Sequence, residues 1–372
     1  MKIRIFLASI VLCGLIISCS SSSGSSPEDF PNLSPVSYNL ILSGSSGLYG
    51  QMVLSDDEGI SVGTTTTSFS GFATPEFNYC DGSVISLYNR TNDCGGNFVM
   101  YDFKTDKETT VPLFSELAPC NINVIALAQQ GNQLFLSYSL TVAGKKDAYF
   151  MRSMDLKTKT AIDILLDKRP LAITVSKDRL FILTTDESGS NDNWIRIMDA
   201  KENSVIYEMN VGENATKIFK DPFGAIIVSY PESHMILNST TSESVYTRYV
   251  TGIEPNFYNS ETFSFDGEGR MYYTIKTDEN VEGNGPAVYD FNKNLTTLYF
   301  FENFLTESQL QVQFSIKEAT TVNYDEANEL ILIGYQKKGN SGGGIIRITP
   351  APNLTFVDNI DLDDVPYYLF VQ

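Results

Sequence analysis

Residues 101–113 read YDFKTDKETTVPL: an apolar strand closes on Asp102 and the chain turns straight back into another strand. Three further copies follow, MDLKTKTAIDILL around Asp155, MDAKENSVIYEMN around Asp199 and YDFNKNLTTLYFF around Asp290. The aspartate has a physical task there. Its short carboxylate can accept backbone N–H groups in an Asx turn, and the residue four places on can sit in the left-handed region. The pairs are Asp102/Asp106, Asp155/Lys159, Asp199/Asn203 and Asp290/Asn294. Degenerate copies lie around Asn238, in HMILNSTTSES, and around Thr349, in RITPAPN. A unit recurring at this spacing predicts stacked supersecondary blocks.

Working outward, segments 133–139, 179–185, 225–230, 270–275, 329–335 and 344–349 alternate with period two, the pattern of half-buried strands. The first five follow turn-forming clusters (QQGN, SKD, KDPFG, DGEG, YDEAN), and no long stretch has helical spacing. A four-strand unit explains the order: strand A, a turn, strand B, a variable loop, strand C ending at the repeated aspartate, and strand D. Successive anchors are 53, 44, 39, 52 and 59 residues apart. That average of about 49 matches blades of ~40–50 residues and predicts about seven, with six or eight as alternatives. The expected fold is therefore all-β, a seven-bladed β-propeller of four-stranded antiparallel blades.

The chain ends predict how the ring closes. PYYLFV (366–371) resembles the strand A segments expected to begin at Pro170 and Pro255, yet the sequence stops after it. Segments 38–42, 49–54 and 59–69 would supply strands B, C and D of the same blade. One carboxy-terminal strand plus three amino-terminal strands would remove the exposed edges that template aggregation.

Residues 1–19 are read apart from the fold. Lys2 and Arg4 precede an apolar run of fourteen residues from Ile5 to Ser18. That is shorter than the ~20 residues that span a bilayer, so a cleaved signal fits better than a permanent anchor. The ending Ile16-Ile17-Ser18-Cys19 resembles the lipobox of bacterial lipoproteins, which implies lipidation, by palmitate among other chains, at Cys19. Cys13 competes, but Leu12 before it is too large for that motif. Residues 20–37 form a Ser/Gly/Pro tether, leaving 38–372 as one propeller domain. The expected location is the bacterial cell envelope, lipid-anchored, in the outer membrane by analogy, facing either the periplasm or the exterior.

With 26 basic against 45 acidic residues the chain carries a net charge of −19, which disfavours nucleic acid as a partner. Three cysteines lie beyond the signal, Cys80, Cys94 and Cys120, and none is in a C-x-x-C pair. Export to an oxidising compartment makes one disulfide reasonable. In the blade scheme Cys94 lies in a B–C loop and Cys120 in the next D–A connection, on one face, whereas Cys80 lies at an A–B turn on the other. Cys94–Cys120 is the expected disulfide.

The stretch 194–218, WIRIMDAKENSVIYEMNVGENATKI, resembles the YVTN-type repeat of seven-bladed bacterial propellers. It has the strand-ending Asp199, Val205 opening the next strand, and Val211-Gly212 before the next strand A. Ala215 stands where that family usually has proline, and the other copies lack the Val-Gly pair. The resemblance implies a fold shared with quinoprotein-like and lactonase-like propellers and no particular activity.

Chemical motifs are sparse. GNSGG (339–343) matches G-x-S-x-G around Ser341, but it reads as a loop between strands and lacks a histidine base. His234, the single histidine, reads as a strand-edge side chain. Two B–C loops are acidic: one holds Asp186, Glu187 and Asp192, the other Asp278, Asn280 and Glu282. The alternating oxygens of Asp278, Asn280 and Glu282 can ligate calcium, though the bidentate acid of an EF-hand loop is replaced by Tyr289. Trp194 beside the first loop can stack on a sugar ring or pack between blades. The expected ligand site groups Asp186, Asp192, Trp194, Asp278, Glu282, Lys337 and Lys338 at the channel mouth. No catalytic residue and no cofactor beyond calcium is assigned. The reading favours a monomeric, non-catalytic module that binds an envelope protein, peptide or glycan. The rival is a carboxylate-based, calcium-dependent enzyme acting on sugar lactones or acidic glycans.

Overall fold

The repeated aspartates occupy the turns expected of them. Asp155 Oδ1 accepts the N–H groups of Lys157 and Thr158 at 2.8 and 3.0 Å, and Asp199 Oδ1 those of Lys201 and Glu202 at 2.9 and 2.8 Å. Asp290 and Asn238 do the same for the residues two and three places on. Four places after Asp102, Asp155, Asp199, Asn238 and Asp290 the backbone is left-handed: φ is 55° at Asp106, 60° at Lys159, 54° at Asn203, 63° at Ser242 and 51° at Asn294.

This computed structural model describes residues 33–372 except 70–74, 93–94, 118–120, 142–143, 261, 277–282 and 341. The expected signal, Cys19 and most of the 20–37 tether lie outside the described residues. The first strand opens at Val36, two residues ahead of the expected domain start, and Ser34 N–H already reaches Asn328 Oδ1 at 2.6 Å.

Among the described residues the strands assort into seven four-stranded antiparallel sheets. In A-to-D order, blade one is Phe77–Asp81, Val84–Asn92, Gly95–Asp102 and Lys107–Leu113. Blade two is Ile122–Gln130, Gln133–Leu140, Ala148–Asp155 and Thr160–Leu166. Blade three is Arg169–Ser176, Arg179–Thr185, Asn193–Asp199 and Val205–Gly212. Blade four is Lys217–Lys220, Ile226–Ser229, Ser233–Leu237 and Ser244–Arg248. Blade five is Phe263–Phe265, Met271–Ile275, Gly285–Asp290 and Leu295–Leu298. Blade six is Ile316–Asp325, Leu330–Lys337, Gly343–Ile348 and Phe356–Leu362.

Blade seven is the closure. Its strand A is Val365–Val371, and Val36–Gly44, Gly47–Asp56 and Gly59–Ser68 complete it. Leu40 pairs with Leu369 and Tyr38 with Val371. The tail strand is thus zipped to the three strands that begin the domain.

Seven apolar clusters fill the seven gaps between neighbouring blades, which shows why the strands alternate. In blade two, Leu134 and Leu136 enter the core shared with blade one, while Phe135 enters the core shared with blade three. In blade three, Leu180 and Ile182 face blade two, and Phe181 and Leu183 face blade four. Such strands are buried on both faces, not on one as the sequence suggested. Every blade has two neighbours to cover it.

Two expectations need correction. The strand A expected from Pro255 starts at Phe263, because Phe257–Asn259 takes a 3-10 turn first. His234 is no edge residue. It is fully buried in strand C of blade four, its ring stacked on Tyr249 and edge-on to Tyr289 and Phe291.

Candidate functional site

In each blade strand A is innermost, so a cavity along the axis takes its walls from strand A of successive blades. A channel of about 310 Å³ is lined by strand A residues of blades one to five. Each strand A starts at the D–A connection and ends at the A–B turn, which orders the lining from one end to the other. Phe77, Lys217, Tyr258 and Phe263 ring the D–A end; Tyr258 is 49% exposed in the 3-10 turn before blade five. Ile125, Leu127, Leu171 and Ile173 form the apolar waist, with Ala126 and Ala172 between them leaving room. Cys80 and Lys220 lie at the A–B end.

Polar contacts tie the channel across its axis. Lys220 Nζ meets Asp81 Oδ1 at 2.6 Å, joining the ends of strand A in blades four and one. Tyr79 and Thr174 hydroxyls approach to 3.4 Å, linking blades one and three past blade two. Asn78 Nδ2 donates to Tyr367 Oη at 2.8 Å. Lys217 Nζ donates to the Ser260 carbonyl and lies 5.3 Å from the Phe263 ring centroid, a cation–π placement.

The chemistry of the lining is restrained. Burial pushes the Cys80 thiol up to about 12, against a weaker opposing hydrogen bond with Tyr368. At neutral pH it is a protonated, non-nucleophilic thiol. Cys80 is a free thiol. No group of three or more metal-ligating side chains occurs among the described residues.

The described side chains proposed from sequence fall into two separate groups. Asp186, Asp192 and Trp194 share the B–C side of blade three. Asp186 N–H bonds the Asp192 carbonyl at 2.9 Å, and Asp186 Oδ1 accepts Ser188 N–H at 2.8 Å. Those Ser188 contacts hold the Asp186 carboxyl below the usual range. Asp192 Oδ2 accepts from Asn210 at 3.2 Å. One face of Trp194 is covered by the Lys168 ammonium, 4.8 Å from the ring centroid. Lys168 and Arg196 both hold Glu208, at 3.4 and 2.5 Å, so the indole belongs to a surface charge lattice. Lys337 and Lys338 stand three blades away in blade six, paired with Asp361 at 2.8 Å and with Gln311 at 2.6 Å. Asp278, Asn280 and Glu282, the calcium candidates, lie outside the described residues, as do Ser341, Cys94 and Cys120.

Sequence reasoning missed Asn78, Lys217 and Lys220. They are ordinary strand residues whose common address is set by the ring. A faint signal existed, since two lysines interrupt the short apolar strand KIFK.

No protein-family model and no curated protein sequence matches this chain. Solved structures do. One from Bacteroides uniformis, assigned provisionally as a 6-phosphogluconolactonase, superposes with a TM-score of 0.53 at 12% identity, covering 91% of this chain and 99% of that one. A second with the same provisional assignment, from Bacteroides fragilis, gives 0.53 at 11% identity and covers 93% and 99%. At such identities the likeness shows a shared propeller fold and nothing further.

Proposed function

We propose that this chain is an exported, lipid-anchored envelope protein whose propeller holds a small ligand in its central channel without chemically converting it. The observation that carries the reading is the channel wall itself. Strand A side chains, most of them apolar, line a cavity at the small end of the 300–1,000 Å³ range usual for ligand sites, with a few polar groups (Asn78, Tyr79, Thr216, Lys217 and Lys220) among them. That size suits a metabolite better than a peptide or glycan chain. The protonated Cys80 thiol supports holding over turnover. The lipobox-like ending at Cys19 and the tether to residue 37 support an anchored module, and residues 194–218 support kinship with YVTN-type propellers.

The test is a thermal-shift screen of a metabolite library on the mature domain, with Ala172→Phe to fill the waist. Compounds that raise the wild-type Tm and not that of a folded Ala172→Phe variant support the channel. A screen in which no compound separates the two proteins overturns it. Metabolic labelling with palmitate tests the anchor: label on the wild type and none on Cys19→Ser is expected.

A second reading, a lactone- or glycan-cleaving enzyme using carboxylates and calcium, is favoured by the provisional lactonase assignments of the two similar structures. Turnover of a sugar lactone or acidic glycan, lost on chelation, would establish it in place of the first.

A further inference from the structure

We propose that a groove between blades one and two is a second binding site, one for a small organic carboxylate, and that Glu116, a carboxylate of the chain itself, holds the ligand's place on Arg152. The groove encloses about 310 Å³ and shares none of the channel's described lining residues. Its walls include Val111, Leu113 and Phe114 from blade one and Met154 and Ala161 from blade two. Arg152 lines it as well, although only 2% exposed. Strand C aims that side chain at blade one: Arg152 pairs in register with Leu136, which belongs to the core the two blades share. Phe114 backs the guanidinium, with Cζ 4.6 Å from its ring centroid. It does so from a left-handed backbone, φ 65°, which a bulky residue rarely takes.

The two edges of the guanidinium are held differently. Asp163 takes Nε and Nη2 at 2.8 and 2.7 Å, the fork that fixes an arginine in place. Glu116 takes Nη1 at 2.6 Å from the turn after strand D of blade one, and its side chain is 57% exposed. A carboxylate so far in water leaves at small cost, because exposed ion pairs are weak. Arg152 itself is buried and keeps its charge only while paired. A ligand carboxylate meets both conditions. It replaces one anion on Nη1 by another, so the charge around Arg152 is unchanged and Asp163 stays where it is. Lys159 lines the same groove and offers the arriving anion a second cationic side chain. The exchange is driven by burial of the ligand's apolar body against Val111, Leu113 and Met154.

The probes are phenylacetate, phenylacetamide and phenethylammonium, which share an aryl body and differ in charge, titrated calorimetrically into the mature domain. Glu116→Ala removes the chain's own occupant and should bind phenylacetate about tenfold more tightly than the wild type, a factor equivalent to 1.4 kcal/mol. Glu116→Gln, which keeps the bulk of the side chain, should gain as well, and phenylacetamide should gain from neither change. Ala161→Phe fills the groove and should abolish binding, whereas Ala172→Phe in the channel should leave it unaltered. A Glu116→Ala protein that binds phenylacetate no better than the wild type makes Glu116 a structural partner and overturns the proposal. Failure of both proteins to bind it does the same. Phenylacetamide or phenethylammonium binding Glu116→Ala as tightly as phenylacetate overturns the carboxylate class. Phenylacetate binding that survives Ala161→Phe lies elsewhere and overturns the site. Melting curves of each variant show that it is folded.

Discussion

Tyr38 donates its phenolic hydrogen to Asp325 Oδ2 across 2.7 Å, with both side chains fully buried. Tyr38 belongs to blade seven and Asp325 ends strand A of blade six, so this bond bolts the closing blade to its neighbour. Arg347, equally buried, reaches Tyr38 Oη at 3.3 Å, also bonds Ser55, and grips Asp358 through two N–H···O contacts, one of 2.7 Å. Burial, with Asp325 adding to it, pushes the Tyr38 phenol up to about 12, so it remains a donor at any physiological pH.

Removing one member of this network strands the others in a dry interface. Tyr38→Phe should cost about 1–3 kcal/mol, the penalty of leaving buried polar groups unpaired. Arg347→Met should cost about 1–3 kcal/mol, because it leaves the buried Tyr38 and Ser55 hydroxyls and the part-exposed Asp358 carboxylate without their donor. Urea denaturation checks both, and a variant as stable as the wild type would show the network to be idle.

Deleting residues 366–372 removes the strand that pairs with Val36–Gly44 and contributes Tyr368 and Leu369 to two interblade cores. Cooperative unfolding should disappear, because blade seven loses its inner strand and both flanking interfaces. A truncated chain melting at the parental temperature would contradict ring closure by the tail.

Acid should act in two windows. Burial lowers the His234 imidazole from 6.5 to about 4, and neither ring nitrogen has a hydrogen-bond partner among the described residues. Between those values the unfolded chain binds a proton that the folded chain refuses, so stability falls as pH drops from 6.5 towards 4. The full effect is on the order of 3 kcal/mol at 1.36 kcal/mol per pH unit. His234→Phe should flatten the Tm profile in that window. Below it the turn carboxylates take over. Backbone N–H bonds hold Asp155 and Asp199 below the usual range, so their contribution is present above pH ~4 and lost as pH falls through their folded values.

Asp155→Ala and Asp199→Ala should each lower Tm by a few degrees and, lying in different blades, should combine additively. Strong non-additivity, read from differential scanning calorimetry of the double variant, would mean the turns are coupled.

Thiol titration in denaturant should find one free cysteine in the mature chain, Cys80, unreactive towards iodoacetamide until the fold opens. Peptide mapping should recover Cys94 linked to Cys120, with reduction costing roughly 3 kcal/mol in the chain-entropy model. A bond involving Cys80 would contradict both.

The blade count, the order of strands and the closure by the tail were legible in the primary structure because they rest on local chemistry. An Asx turn at Asp199 needs only its own following N–H groups, and a left-handed Asn203 needs only its own backbone. Two-residue periodicity survives without knowing what covers either face. Sites are another matter. Asp186, Trp194 and Lys337 looked like partners because loops of one face were pictured as converging, yet blades three and six are separated by the ring and each side chain finds a neighbour nearby. Asp81 and Lys220 are 139 residues apart, and nothing near either one announces the other. His234 was misread for the same reason: its neighbours Tyr249, Tyr289 and Phe291 come largely from the next blade. A repeating hairpin writes its geometry into its own few residues. The composition of an axis to which each blade lends one strand exists only once the circle is shut.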